Sequence, residues 1–168
     1  MNPNLARIGE KAKAHPTPVF TSLYHHIADI EYLRACYELL KGNKAVGVDE
    51  VTKAMYAKDL EANLPDLSTR LKRMEYKPQP KRRISIPKPG SETGRPLGIS
   101  SFEDNRVELA TQRVLEPLCE PLCEDCRYGY RPQRSPHQCL DALGRTLQHK
   151  QVTILVEADI RGFLDRAS

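Results

Sequence analysis

The sequence predicts an α+β fold in which helices come first, a basic β-hairpin follows, and two further helices lead to a closing strand. Three observations predict this order. Apolar residues recur at helical spacing through the first 75 residues, polar and apolar residues alternate within positions 83–99, and a β-branched run occupies positions 151–156. A chain of 168 residues with 39% hydrophobic and 29% charged residues is globular, with one domain or two small ones.

The first 75 residues predict an arm followed by helices. Residues 1–22 are polar and contain prolines, so a loosely held arm is expected over 1–23. Gly42 stops the first helical stripe, whose members are Ile27, Ile30, Leu33, Tyr37 and Leu40. Gly47–Asp49 predicts a turn, and either Asp49 or Thr52 can cap the next helix. Pro65 is expected to begin a further short helical piece.

A hairpin is predicted after this helical part. Arg83–Ile86 alternates polar and apolar residues with the period of a strand, and Pro87 ends it. Residues 88–94 are rich in glycine and proline, which predicts a loop, and Arg95–Ile99 predicts the returning strand.

The second half predicts two helices and a strand. Ser101 begins a capping-box pattern, and Pro117 is expected to end or kink the helix behind it. Ser135 followed by Pro136 predicts the start of another helix. Gln151–Val156 predicts a buried strand that leads to Asp159.

Positive charge is concentrated in one window. The whole chain carries +4, but residues 70–106 hold ten basic and four acidic side chains, so the remainder carries −2. A polyanionic partner explains such an excess, and so does a solvated charged face. No apolar run reaches membrane-spanning length, and no apolar stretch follows the first charges, so a cytoplasmic protein without a membrane partner is expected.

Three places offer groups for chemistry. Asp159 at the end of the predicted strand suits a divalent metal, or simply ends the strand. Lys88 and Arg95 flank the hairpin tip and could close over phosphates, or be ordinary surface charges. Tyr128–Ser135 interleaves aromatic and arginine side chains before a helix start, which suits a nucleic-acid backbone as well as a plain turn.

Five segments of the chain are informative because of the order in which they occur. They are Arg82–Gly90, Arg95–Ile99, Val114–Pro117, Tyr128–Ser135 with His137, and Glu157–Asp165. In this order the chain resembles the bacterial group II intron reverse transcriptases, also called intron-encoded maturases. The similarity covers about residues 24–168, and five ordered motifs are far more specific than any one of them.

The resemblance implies a partial right-hand polymerase fold. Residues 24–75 would be the helical N-terminal extension, 76–150 the fingers with their hairpin and helices, and 151–168 the start of the palm, ending at its first strand. The family's RNA-directed DNA polymerase activity implies Mg²⁺ as cofactor. It implies an RNA template, intron RNA, a DNA primer and dNTP as partners.

The resemblance also implies catalytic and nucleotide-binding residues. Asp159 matches the first catalytic, metal-binding aspartate, and the backbone carbonyl of Ile160 stands beside it. Lys88 and Arg95 match residues that contact the triphosphate of the incoming nucleotide. Phe163 lies in the segment that carries the aromatic screening the sugar 2′ position, although Leu164 stands where the family usually has a second aromatic.

Further residues are implied in nucleic-acid contact. Arg82 and Arg83 lie on the basic strand near template or triphosphate, and Arg83 is assigned to the nucleotide. Tyr130, Arg131 and Arg134 are assigned to the nucleic acid. Two residues near them depart from the family pattern: Arg127 replaces a small residue and Gln133 replaces a common glycine.

The later palm motif Tyr-Ala-Asp-Asp does not occur in these 168 residues. Two-metal chemistry needs carboxylates beyond Asp159, so this polypeptide alone is expected to bind RNA without polymerising. A dimer, or a complementing C-terminal polymerase half, is the expected partner for activity.

Two alternatives remain. Cys119, Cys123 and Cys126 have the spacing of a cluster-binding motif, although neighbouring acidic residues disfavour an anionic cluster and reduced thiols are expected. A non-catalytic RNA-binding module would use the same basic hairpin and leave Asp159 without a role.

Overall fold

The chain divides into two units, Met1–Leu122 and Cys123–Ser168, in a computed structural model that describes residues 3–14, 19–87, 90 and 94–160. Helices and one antiparallel hairpin make up the regular structure of these residues. The first unit contains α1 (Pro3–Ala14), α2 (Tyr24–Ile27), α3 (Ile30–Leu39), α4 (Lys53–Ala57), α5 (Leu60–Lys72), β1 (Arg82–Ile86), β2 (Arg95–Ile99), α6 (Phe102–Cys119) and a 3₁₀ turn (Glu120–Leu122). The second contains α7 (Pro136–His149).

Helices α3, α5 and α6 form the core of the first unit. Leu33, Leu64, Leu67 and Val114 are fully buried there. Burying a side chain of this size contributes about 1.5–3 kcal/mol. The predicted stripe from Ile27 to Leu40 is therefore confirmed, because its members face this core or the neighbouring cluster around Phe102.

The N-terminal segment is helical, so the loose arm predicted over 1–23 is wrong for residues 3–14. Leu5 is buried, and α1 packs along α6. A Cβ added at Gly9 would lie 3.3 Å from the Cβ of Pro117, so the two helices approach closely there. Leu5, Ile8 and Ala12 stand at helical spacing, and their burial outweighs the polar composition of the segment.

Two prolines lie inside helices rather than at their ends. Helix α6 continues through Pro117 to Cys119, and α5 runs through Pro65, which was expected to begin a separate piece. Each proline removes one backbone donor. Residues on both sides remain helical because burial of the flanking apolar residues, such as Leu64 and Leu67, compensates for that bond.

The hairpin is confirmed and the last strand is not. Strands β1 and β2 pair antiparallel, with Ile84 opposite Leu97. Residues 151–160 form no strand, and Ile154 and Val156 are 78% and 83% exposed. A strand needs a neighbour for its backbone N–H and C=O groups, and none lies beside this segment among the described residues.

Candidate nucleic-acid interface

The hairpin presents arginines on both of its faces. Directly paired residues share a face, so the register places Arg82 and Arg95 on one face, at opposite ends of the ladder. Arg83 lies on the other face, opposite Gly98. All three side chains are exposed, and no carboxylate among the described residues forms an ion pair with them. The hairpin therefore offers cations to an anionic ligand on either face.

Two other cations of the basic window are already paired with carboxylates. Arg70 pairs with Asp66 at 2.7 Å and with Glu103 at 2.9 Å. Lys81 Nζ lies 3.0 Å from a carboxylate oxygen of Glu108. Part of the positive charge counted along the sequence is therefore paired, whereas the hairpin arginines, like the exposed Lys72, Arg73 and Lys77, form no ion pair with a carboxylate of the described residues.

Arg106 is the residue of this window that sequence reasoning misplaced. Its side chain is fully buried, with its guanidinium carbon 4.2 Å from the ring centroid of Tyr56 and 5.7 Å from that of Phe102. The signal was present in the sequence. Arg106 stands four residues after Phe102 and four before Ala110, both of which are buried on α6.

Residues at the start of α6 cap this helix and also bind the segment that leads into the hairpin. Ser101 caps the helix as predicted, because its hydroxyl accepts from the backbone N–H of Asp104 at 3.1 Å. The Asp104 carboxylate accepts instead from the Tyr76 hydroxyl and from the Gln79 backbone N–H. Burial, followed by the hydrogen bond to Asp104, raises the pKa of the Tyr76 phenol. Asp104 thus joins α6 to the segment that leads into β1.

The turn of residues 128–135 belongs to the second unit. Tyr130 is fully exposed at a positive φ of 56°. Nη1 of Arg131 donates to the carbonyls of Glu124 and Arg127 at 2.8 and 3.2 Å, so part of this side chain holds the turn together. The predicted nucleic-acid role therefore competes with a structural one at Arg131, while the Tyr130 ring is available for stacking.

Arg134 and the start of α7 complete this turn. The Arg134 guanidinium lies 5.6 Å from the centroid of Tyr128 and 3.8 Å from the fully exposed carboxylate of Asp125. Ser135 and Gln138 form a full capping box, which confirms the predicted helix start. The backbone N–H groups of Ser135 and Gln138, which the sequence suggested as donors to a phosphate, are therefore occupied by the capping box.

The predicted metal site is not assembled in the described residues. Asp159 and Ile160 lie in an exposed, irregular segment. No group of three histidine, cysteine, aspartate or glutamate side chains in the described ranges could hold a metal ion. A two-metal centre needs several converging carboxylates, and residues 161–168, which include Asp165, lie outside the described residues.

Two of the predicted nucleotide-binding residues, Lys88 and Phe163, lie outside the described residues. Cys119, Cys123 and Cys126 form no group that could hold a metal ion in the part of the chain that the structure describes. No helix among the described residues is long and apolar enough to span a bilayer.

Comparison with known proteins supplies the family. No protein-family profile matches the chain. The Group II intron-encoded protein LtrA of Lactococcus lactis subsp. cremoris is 33% identical over 168 residues, which cover 98% of this chain and 28% of LtrA. Protein YkfC of Escherichia coli (strain K12) is 34% identical over 128 residues, 74% of this chain and 33% of YkfC.

A third relative comes from a eukaryote. An uncharacterized 91 kDa protein in the cob intron of Schizosaccharomyces pombe is 38% identical over 95 residues, or 56% of this chain. The chain spans less than a third of the length of LtrA. The similarity to LtrA extends over nearly the whole chain and confirms the resemblance seen in the ordered motifs. The chain therefore belongs to the family of group II intron-encoded proteins.

Proposed function

We propose that the chain is the RNA-binding part of a group II intron reverse transcriptase. It grips template and intron RNA through the β1–β2 hairpin. The observation that carries the proposal is the set of three exposed arginines, Arg82, Arg83 and Arg95, which no carboxylate of the described residues neutralises. Arginine presents a planar fork of donors to phosphate oxygens, and phosphate contacts supply most of the affinity for a nucleic-acid backbone.

The hairpin's shape supports a role in gripping an extended polyanion. Arg82 and Arg95 are separated by four residue steps along the ladder, about 13 Å at the rise of an antiparallel strand. Ile84, Ile86 and Leu97 share their face and are 37%, 46% and 45% exposed. An apolar surface between two cations suits a strand of RNA, which offers phosphates at its edges and bases or sugars between them.

Binding is tested by a salt series on single-stranded RNA. The variant in which Arg82, Arg83 and Arg95 are all replaced by glutamine is compared with the wild-type chain. If each arginine neutralises one phosphate, the negative slope of log affinity against log salt becomes shallower by about 2 in the triple variant. The control is Arg34→Gln, which removes an arginine already paired with Glu61 at 2.6 Å and leaves the slope unchanged. An equal slope in the triple variant and the wild type would refute the proposal.

Nucleotide binding and catalysis are the finer part of the proposal. In the longer enzyme, Asp159 with the Ile160 carbonyl would hold Mg²⁺, and Lys88, Arg83, Arg95 and Phe163 would surround the incoming dNTP. The 168-residue polypeptide binds RNA and primer but does not extend them. The exposed, unpaired segment around Asp159 supports inactivity of this polypeptide, since no group of three metal-binding side chains forms there among the described residues.

Primer extension on an RNA template with Mg²⁺ and four dNTPs tests this part. The wild-type polypeptide and Asp159→Ala are expected to give the same absence of product. Extension by the wild type that Asp159→Ala abolishes would show that association of chains completes the site. A non-catalytic RNA-binding module is the second candidate, since the exposed hairpin arginines can bind RNA without a metal site. Its signature is salt-dependent RNA binding by the wild-type chain with no primer extension even after a complementing polymerase half is added.

A further inference from the structure

The direction of the hairpin is not determined by core packing. Every residue of β1 is exposed, and β2 is exposed apart from the half-buried Ile99. Because a two-stranded ribbon without a buried face packs against nothing, packing does not set its direction relative to the helices. Whatever fixes its direction must act where the chain enters β1 and leaves β2.

The entry to β1 is held by Asp104. This carboxylate is 4% exposed and accepts from the Tyr76 hydroxyl and from the backbone N–H of Gln79 at 3.0 Å. Gln79 stands between Pro78 and Pro80, three residues before β1. Proline restricts its own φ and the conformation of the residue before it, so fixing Gln79 fixes the path into the strand.

Both ends of the hairpin also meet at Glu108, one helical turn further along α6. Its Oε1 lies 3.0 Å from Lys81 Nζ and accepts from the Ser100 hydroxyl at 2.9 Å. Lys81 directly precedes β1 and Ser100 directly follows β2. A Cβ added at Gly98 would lie 3.2 Å from Lys81 Cδ, so the Lys81 side chain crosses the hairpin at this glycine. One carboxylate thereby holds the two ends together.

The carboxylate of Glu103, the residue before Asp104, makes different contacts. Glu103 accepts from Arg70 of α5 at 2.9 and 3.0 Å and from the Tyr56 hydroxyl of α4 at 3.1 Å. It ties α6 to the helical layer and forms none of the hairpin contacts. Glu103 and Asp104 are adjacent on the same helical turn and therefore make a matched pair for experiment.

We propose that Asp104 and Glu108 are positioning residues, which fix the basic hairpin relative to α6 so that its arginines meet RNA as a preorganised set. This inference rests on the proposed RNA binding. When the hairpin is already oriented, less conformational freedom is lost on binding, and affinity rises without any new contact. The anchors act through the arginines and need not touch RNA themselves.

The test compares Asp104→Asn and Tyr76→Phe with Glu103→Gln in the full chain. Asparagine keeps the size of the side chain but removes its charge, so the bonds to Tyr76 and Gln79 lose their charge-assisted strength, and Tyr76 can only accept from the amide if Gln79 keeps the carbonyl oxygen. Tyr76→Phe removes a single hydroxyl and serves if Asp104→Asn does not fold. The first readout is hydrogen exchange at residues 79–86 and 95–99 without RNA. The second is RNA affinity across a salt series.

We expect both hairpin variants to raise exchange in these residues and weaken RNA binding by about tenfold each, with the salt slope unchanged, because no phosphate-binding cation is removed. Glu103→Gln should lower the melting temperature with neither effect. Unchanged hairpin exchange, or faster exchange with unchanged RNA affinity, would overturn the inference. If the wild type shows no salt-dependent RNA binding, the proposed function fails, while the exchange data still decide whether Asp104 orients the hairpin.

Discussion

The guanidinium carbon of Arg106 lies 4.2 Å from the ring centroid of Tyr56, and Nη1 of the same arginine donates to the Tyr56 hydroxyl at 3.2 Å. Arg106 is fully buried, and its Nε and Nη2 have no hydrogen-bond partner among the described residues. The aromatic rings of Tyr37, Tyr56 and Phe102 surround the cation and supply attraction in place of a carboxylate.

Replacing Arg106 tests what this buried cation contributes. Arg106→Met fills similar space and removes a charge with unsatisfied donors, so the free energy of unfolding is expected to stay the same or rise by about 1 kcal/mol. Arg106→Ala leaves a cavity and should lower it by about 2–4 kcal/mol. Urea denaturation followed by circular dichroism measures both. An equal loss in the two variants would mean that the aromatic cage requires the cation itself.

Ser68 connects α5 to the end of α2. Its hydroxyl donates to the carbonyl of Ala28 at 2.6 Å, and both residues are buried. Ser68→Ala leaves that carbonyl unpaired and should lower the free energy of unfolding by about 1–3 kcal/mol. The adjacent Thr69→Ala removes an exposed hydroxyl bonded to Pro65 O and should change it by less than about 0.5 kcal/mol. If chemical denaturation shows comparable losses of unfolding free energy for Ser68→Ala and Thr69→Ala, the buried Ser68–Ala28 hydrogen bond does not make the proposed contribution.

Gly47 lets the loop before α4 lie against the start of α6. An added Cβ would stand 2.6 Å from Ser101 Cα and 2.8 Å from Ser101 N, which are backbone atoms that cannot rotate away. Gly47→Ala should therefore lower the free energy of unfolding by about 1–3 kcal/mol. Gly42→Ala is the control, because its Cβ would meet Lys53 Cδ at an ordinary 3.8 Å. Thermal denaturation should show a lower melting temperature for Gly47→Ala alone.

Buried tyrosines predict alkaline instability. Burial is the largest cause that raises the pKa of the Tyr56 phenol from 10.0 to about 12, with Glu103 acting in the same direction and Arg106 against it. The folded state keeps this proton more tightly than the unfolded state. The resulting stability is fully present below pH 10 and is lost as the pH rises towards 12.

Tyr56→Phe should reduce the loss of stability between pH 10 and 12 by up to about 2 kcal/mol, measured by urea denaturation at each pH. Burial also raises the pKa of Tyr32, so part of the alkaline loss should remain. Tyr24→Phe, at a residue that is 40% exposed, is the control for removing a tyrosine hydroxyl outside the core. A profile of Tyr56→Phe that matches the wild type would assign the alkaline loss to other groups.

The sequence by itself determined the elements whose signals are local. Helical stripes place α3 and α6, Ser135 and Pro136 place the start of α7, and alternation with flanking prolines places the hairpin. These patterns predict structure because side-chain period and cap chemistry act within a few residues. The ordered motifs likewise determined the family, since they depend on residue identity rather than on shape.

The tertiary structure alone decided which polar groups face solvent and which carry the fold. It buried Arg106 among three rings, assigned Asp104 to the hairpin and Glu103 to the helical layer, and kept α6 helical through Pro117. It also left residues 151–156 without a neighbouring strand among the described residues. The physical reason is that burial and pairing depend on which elements meet across long sequence separations, and a local pattern carries no information about its partner.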